Sequence, residues 1–179
     1  DQAGARPTGP GVARVSDAAV IASSTAKLHV CGVGHLLDGP THKPRGARAV
    51  SSSQNLPSVV DNARAGTTFY LKAGVYHLGS GAYDQVIPKS GDTFIGAPGA
   101  VIDGQHRNLY AFGQPAKNVT ISYLTIQNFG SPGDNEDEGV VNHDSGTGWK
   151  ITHDTAMPEL HEFWLNGSRG PAFVSGNSI

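Results

Sequence analysis

The sequence predicts an all-β fold: a right-handed parallel β-helix of about four coils, with a short N-terminal capping helix and an irregular N-terminal arm. Three observations lead there. From residue 67 onward, short apolar runs alternate with turns rich in Gly, Pro, Asn and Asp. Those runs fall into three interleaved series that share a period near 25 residues. The hydrophobic content, 37% with 24 glycines, is modest for a compact globule but suits a narrow column filled by alternate residues of many short strands.

The first series is TFYL at 68–71, TFIG at 93–96, VTIS at 119–122 and WKIT at 149–152. With Tyr70, Ile95, Ile121 and Ile151 as equivalents, its offsets are 25, 26 and 30 residues. The second is VYHL at 75–78, AVID at 100–103 and LTIQ at 124–127, with offsets of 25 and 24. A looser third series comprises QVIP at 85–88, LYAF at 109–112, GVVN at 139–142 and AFVS at 172–175. Three strands per repeat describe a coiled parallel sheet. Each coil is too thin to bury its own apolar side chains and does so only between its neighbours, so stability is collective. An antiparallel sandwich would show alternation without this triplet recurrence, and the turns are too irregular for a run of two-residue hairpins.

Within VTISYLTIQN the period of two places Val119, Ile121, Leu124 and Ile126 inward. Thr120, Ser122, Thr125 and Gln127 then face outward, after a corner near Tyr123. Asn128 and Asn142 fall at expected bends, where amides can pair along the stack.

Ahead of the repeat, residues 1–17 have neither a helical nor a strand period and read as a flexible arm. Residues 18–33 are compatible with a short helix or an edge strand, and 38–48 break repeatedly at Gly and Pro. The run NLPSVVDNAR at 55–64 is different. Asn55 is a capping residue, Pro57 suits a first helical turn, and Leu56, Val59, Val60 and Ala63 share one face. Gly66 ends it. Such a helix can lie across the open end of a sheet stack and hide its unpaired strand edge. The division is therefore an irregular arm and lead-in at 1–54 and a β-helix domain at 55–179, with the cap at 55–64.

A formal charge of −2 and 16% charged residues argue against nucleic acid or an anionic membrane as partner. Cys31 is the only cysteine, so the chain holds no internal disulfide, and His29, Cys31 and His35 are too few for a zinc site. The sequence has no apolar run of the length a membrane span needs and starts at Asp1 without a methionine, so a soluble, processed chain is expected.

The stretches IPKSGDTFIGAPGAVIDG, KNVTISYLTIQNFG and GVVNHDSGTGWKITHDT resemble the right-handed β-helix proteins of the pectate-lyase-like superfamily, especially its secreted bacterial members. The resemblance covers residues 55 to about 155, somewhat over half the chain. Its motifs specify architecture more than activity. It implies a secreted carbohydrate-active protein, foremost a polysaccharide lyase that cleaves a uronate-containing polysaccharide by metal-assisted β-elimination. The alternatives are a glycoside hydrolase with paired carboxylates and a non-catalytic carbohydrate-binding or structural module. Relatives generally stack more coils, which implies a short or truncated member.

The most unusual local sequence runs from 131 to 154. Asp134, Glu136, Asp137 and Glu138 supply the oxygen ligands that calcium, the candidate cofactor, prefers, although their spacing matches no defined calcium loop. The same loop reads equally as a solvated turn in the longest repeat. If Trp149 and Ile151 point inward, alternation turns Lys150, Thr152 and Asp154 outward together. The resemblance makes Lys150 the candidate base, with Asp154 beside it and His143 as a further acid or base. His153 is expected to point inward or lie at a bend.

A hydrolase would need two carboxyl groups about 5 to 9.5 Å apart, for which Asp144 with Asp154, or Asp103 with a loop acid, are the candidates. Asp144 and Arg107 are the candidate substrate-binding residues, while the neighbouring Tyr110 and Phe112 are more often core or corner residues. After residue 155 the repeat is lost until AFVS. Phe163, Trp164 and Leu165 either cover the last coil or join it to a second copy in a homo-oligomer.

Overall fold

The structure is a computed structural model and describes residues 38–113, 115–130, 146–156 and 173–175. Among the described residues the first elements are β1 (Arg48–Val50) and a short helix, α1 (Leu56–Asp61). Strand pairs follow: β2 (Thr68–Leu71) with β3 (Gly74–His77), β4 (Thr93–Gly96) with β5 (Ala100–Asp103), and β6 (Thr120–Ser122) with β7 (Thr125–Gln127). Then come β8 (Lys150–Thr152), β9 (Thr155–Ala156) and β10 (Phe173–Ser175). The first strand of each pair joins a six-stranded sheet in the order β1-β2-β4-β6-β8-β10, and the second joins a four-stranded sheet, β3-β5-β7-β9. Every pairing is parallel. The third series contributes one parallel bridge, Val86 to Phe112, whereas its last expected run, AFVS, is corrected: as β10 it joins the six-stranded sheet beside β8, with the first series.

The corners explain why the strands are so short. Tyr123 (φ 61°) and His153 (φ 61°) take the left-handed conformation between β6 and β7 and between β8 and β9. One such residue redirects the chain without a loop. Their rings stack at 5.0 Å, 17° from parallel, so the corners of successive layers pack on each other. Asn128 (φ 57°) turns the chain after β7 as expected, but its amide pairs with Asp103 of the adjacent layer.

Register corrects the predicted alignment in two places. Phe69, Phe94, Ile121 and Ile151 form one row, so Ile95 lies opposite Ser122 and not Ile121. In the four-stranded sheet Val75 lies opposite Val101 and not Ala100. A one-residue shift exchanges the two faces of a strand, and burial of the aromatic rings decides between them. The repeat also starts before Thr67, because β1 already pairs with β2.

The inner faces of the two sheets share one core. Phe69 stacks on Phe94 at 5.1 Å, Phe94 meets Phe112 edge-on at 5.1 Å, and Ile102, Ile126 and Trp149 complete the column. Burial of each such side chain is worth about 1.5–3 kcal/mol. Trp149 Nε1–H donates to the Ala116 carbonyl at 2.8 Å, so its one polar atom is satisfied inside. The Tyr76 hydroxyl lies 2.8 Å from both the Val50 and Lys72 carbonyls, which share its one proton, and burial pushes its pKa up to about 12.

The helix forms where Asn55 and Pro57 predict it. The Asn55 side chain accepts the Ser58 N–H at 2.8 Å, and Leu56 and Val60 are buried in the same core. Lys89 Nζ donates to the Asp61 carbonyl and to the Ala63 carbonyl, the latter at 2.6 Å, placing a cation at the helix C-terminus.

Candidate functional site

Period-two alternation sets a line of side chains on the outer face of the six-stranded sheet. Thr68, Thr93, Thr120 and Lys150 occupy one register position on four successive strands. The threonines are half-buried and Lys150 is exposed. Successive groups are spaced by the strand separation, about 4.8 Å. The row thus sets hydroxyls that donate and accept beside the Lys150 side chain, and its register position continues to Phe173 on β10.

The neighbouring outward row, Tyr70 and Ile95, is covered by the chain itself. Ala47, Tyr70 and Ala97 form one buried cluster against which Ile95 packs, and the Tyr70 hydroxyl donates to the Pro40 carbonyl at 2.8 Å. A Cβ on Gly39 would lie 1.9 Å from the Gly96 carbonyl oxygen and 2.8 Å from Tyr123 Cβ. Only glycine lets the backbone cross so close to the sheet.

Asp154 requires a correction. Alternation from Trp149 and Ile151 puts it outside with Lys150, but the left-handed His153 restarts the alternation and turns the carboxylate inward. Asp154 is fully buried and accepts the Leu124 N–H from the adjacent layer at 2.7 Å. Burial pushes its pKa up to about 7, against the lowering effect of hydrogen bonds from the Leu124 and Thr152 backbone. It therefore does not share a face with Lys150. His153 lies at the bend, half-buried.

Asp92 acts in a similar way at another corner. It is fully buried and accepts the Thr67 N–H at 2.9 Å and the Lys89 N–H at 2.7 Å. Burial raises its pKa, and those backbone donors, Gly66 and the Lys89 charge work the other way.

A second polar group lies on the outer face of the four-stranded sheet. His77, Asp103 and Gln127 are in register on β3, β5 and β7. Asp103 Oδ1 accepts the Gln105 N–H at 2.8 Å and the Asn128 amide at 3.0 Å, and Oδ2 accepts the Gln127 amide at 3.2 Å. Partial burial disfavours its charge, but Asn128, Gln105, Gln127 and the field of His77 together hold its pKa below the usual carboxylate value. The turn after β5 carries Arg107, exposed, with Gln105 (φ 55°) and His106 (φ 53°) both left-handed. Arg107 follows a strand of one sheet and Lys150 lies on a strand of the other. Tyr110 and Phe112 are buried.

His77 was not singled out from the sequence, although a signal existed. It stands two residues after Val75 in a run aligned with AVID, which puts it level with Asp103 once the register is right. His143, Asp144, Asp134, Glu136, Asp137 and Glu138 lie outside the described residues. Among the described residues, no group of three or more His, Cys, Asp or Glu side chains is placed to hold a metal ion, and no helix is long and apolar enough to cross a membrane. The chain matches no protein-family model, no curated protein and no solved structure.

Proposed function

We propose that this chain is a right-handed parallel β-helix and a secreted carbohydrate-active protein that binds a uronate-containing polysaccharide along its six-stranded sheet. The fold reading draws on the alternation of consecutive strands between two parallel sheets and on the third-series bridge. The right hand follows from the strong preference of parallel crossovers for it.

The observation that carries the functional reading is the exposed Lys150 in register with the three threonines. A polysaccharide lying along the strand-stacking direction meets one strand about every 4.8 Å, comparable to the advance of one pyranose ring. Sugar hydroxyls then face the threonine hydroxyls and a uronate ring presents its C5 proton to the Lys150 amine. In β-elimination a base removes the proton at C5, the C4–O bond breaks, and the electron pair forms a C4–C5 double bond while the leaving oxygen takes a proton. Lys150 is the base in this scheme. Asp134, Glu136, Asp137 and Glu138 would hold calcium, whose chemistry is to neutralise the substrate carboxylate.

The burial of Asp154 bears on the alternatives. It removes the Asp144–Asp154 pair from a hydrolase scheme and takes one candidate proton carrier away from Lys150. That favours, as the second reading, a module that binds carbohydrate without cleaving it. Incubation with pectate, alginate and chondroitin sulfate, with and without calcium, separates the readings through the ultraviolet absorbance of the unsaturated product. A lyase gives absorbance that Lys150→Ala abolishes. Binding without absorbance leaves the module reading, and if Lys150→Ala alters neither cleavage nor binding, the role of Lys150 is wrong.

A further inference from the structure

The four-stranded sheet presents a surface that the Lys150 row does not explain. Its outer face carries two parallel rows. One is polar: His77, Asp103 and Gln127. The other, two residues earlier on the same strands, begins with two valines: Val75, Val101 and Thr125. Val75 is 44% exposed and is one of the few large apolar side chains open to solvent among the described residues. Two residues along a strand separate the rows by about 7 Å, and three strands span about 10 Å. Those are the dimensions of one to two sugar rings.

From this juxtaposition we infer that the outer face of the four-stranded sheet is a second saccharide-binding site, selective for neutral, hydroxyl-rich sugars. A pyranose has an apolar C–H face and a polar hydroxyl edge, and the two rows match them: the ring lies on Val75 and Val101 while its hydroxyls reach the polar row. The division of labour within that row follows from its hydrogen bonds. Asp103 already accepts from three protein donors, which fix the carboxylate without assistance from a ligand and leave Oδ2 with capacity for one more donor. A sugar hydroxyl can supply it. Gln127 donates to Asp103 through its amide nitrogen, so its carbonyl oxygen is oriented as an acceptor for the next hydroxyl. His77, exposed on the other side of Asp103, provides a ring nitrogen to either donate or accept.

The charge decides between sugar classes. The carboxylate at the centre of the row accepts hydrogen bonds and repels a uronate, whereas the Lys150 row attracts one. The two faces therefore sort neutral from acidic saccharide. This inference is independent of the Lys150 reading, and either can fail alone.

The test is an array of neutral and acidic glycans probed with the full chain, followed by calorimetric titration of the best neutral binder. Wild type is expected to bind neutral glycans. His77→Ala, at an exposed side chain, and Gln127→Ala, at a half-buried one, should each weaken that binding about tenfold, the loss of one hydrogen bond to a charged or oriented partner, and His77→Ala should leave the melting temperature unchanged. Asp103→Asn, which keeps the shape, should weaken it more. Lys150→Ala should leave it intact. The inference is overturned if wild type binds no neutral glycan, if the His77 and Gln127 variants bind as wild type, or if Lys150→Ala removes neutral binding.

Discussion

Replacing Asp154 by Asn tests whether a buried carboxylate makes this fold pH-dependent. The side chain is fully buried, and its pKa is pushed from 3.8 to about 7 by burial. In the folded state it therefore holds its proton more tightly than in the unfolded chain. Stability from this group is complete below pH about 4 and is lost as pH rises through about 7, most steeply at about 1.4 kcal/mol per pH unit. A shift of that size corresponds to something on the order of 4 kcal/mol across the window. Asn does not titrate, and its amide oxygen still accepts the Leu124 N–H that Asp154 Oδ1 accepts at 2.7 Å. Asp92, whose pKa is also raised, and Asp103, whose pKa is lowered, titrate in both proteins and cancel in the difference. Urea denaturation of wild type and Asp154→Asn at half-unit steps from pH 4 to pH 8 yields the difference in stability. The variant should gain on wild type from pH 4 to about pH 7 and level off above that. A difference that stays constant over this range would refute the assigned burial and place the carboxylate in water.

Two further substitutions test the core and the outer face. Phe94→Ala removes the ring between Phe69 and Phe112, both at 5.1 Å, and should cost about 3–5 kcal/mol in urea denaturation; a loss near zero would mean that the aromatic column does not form. Gly39→Ala places a Cβ 1.9 Å from the Gly96 carbonyl oxygen, so the backbone around residue 39 must lift from the sheet. Limited proteolysis should then cut at residues 38–47 faster than in wild type, and an unchanged digestion rate would contradict the close crossing.

Much of the architecture was legible because strand period and turn chemistry are local. Alternation alone places Val119, Ile121, Leu124 and Ile126 inward, and all four are buried. The Asn55 cap and the apolar face of Leu56 and Val60 followed from helix-start rules. Alternation failed at Asp154, where a single left-handed residue resets which side is inside. A histidine in that conformation carries no unambiguous sequence mark, since His153 reads equally well as a strand residue. Alternation does hold for Lys150, which is exposed beside the buried Trp149, because no corner intervenes between the two.

Register marks the division between what is local and what is not. Composition, the interleaved runs and the turn residues determine by themselves that the chain builds short strands in a repeating order. They leave each run free to slide by one residue against the next, because neighbouring offsets satisfy a short apolar motif almost equally. Packing of whole rings removes that freedom: Phe69, Phe94 and Ile121 fill one column only at the observed offsets. With that register, His77 comes level with Asp103 and Gln127, and Lys150 with Thr120. Those groupings join residues 24 to 30 positions apart in the chain. No local pattern encodes which of them meet, and only the stacking of one layer on another decides it.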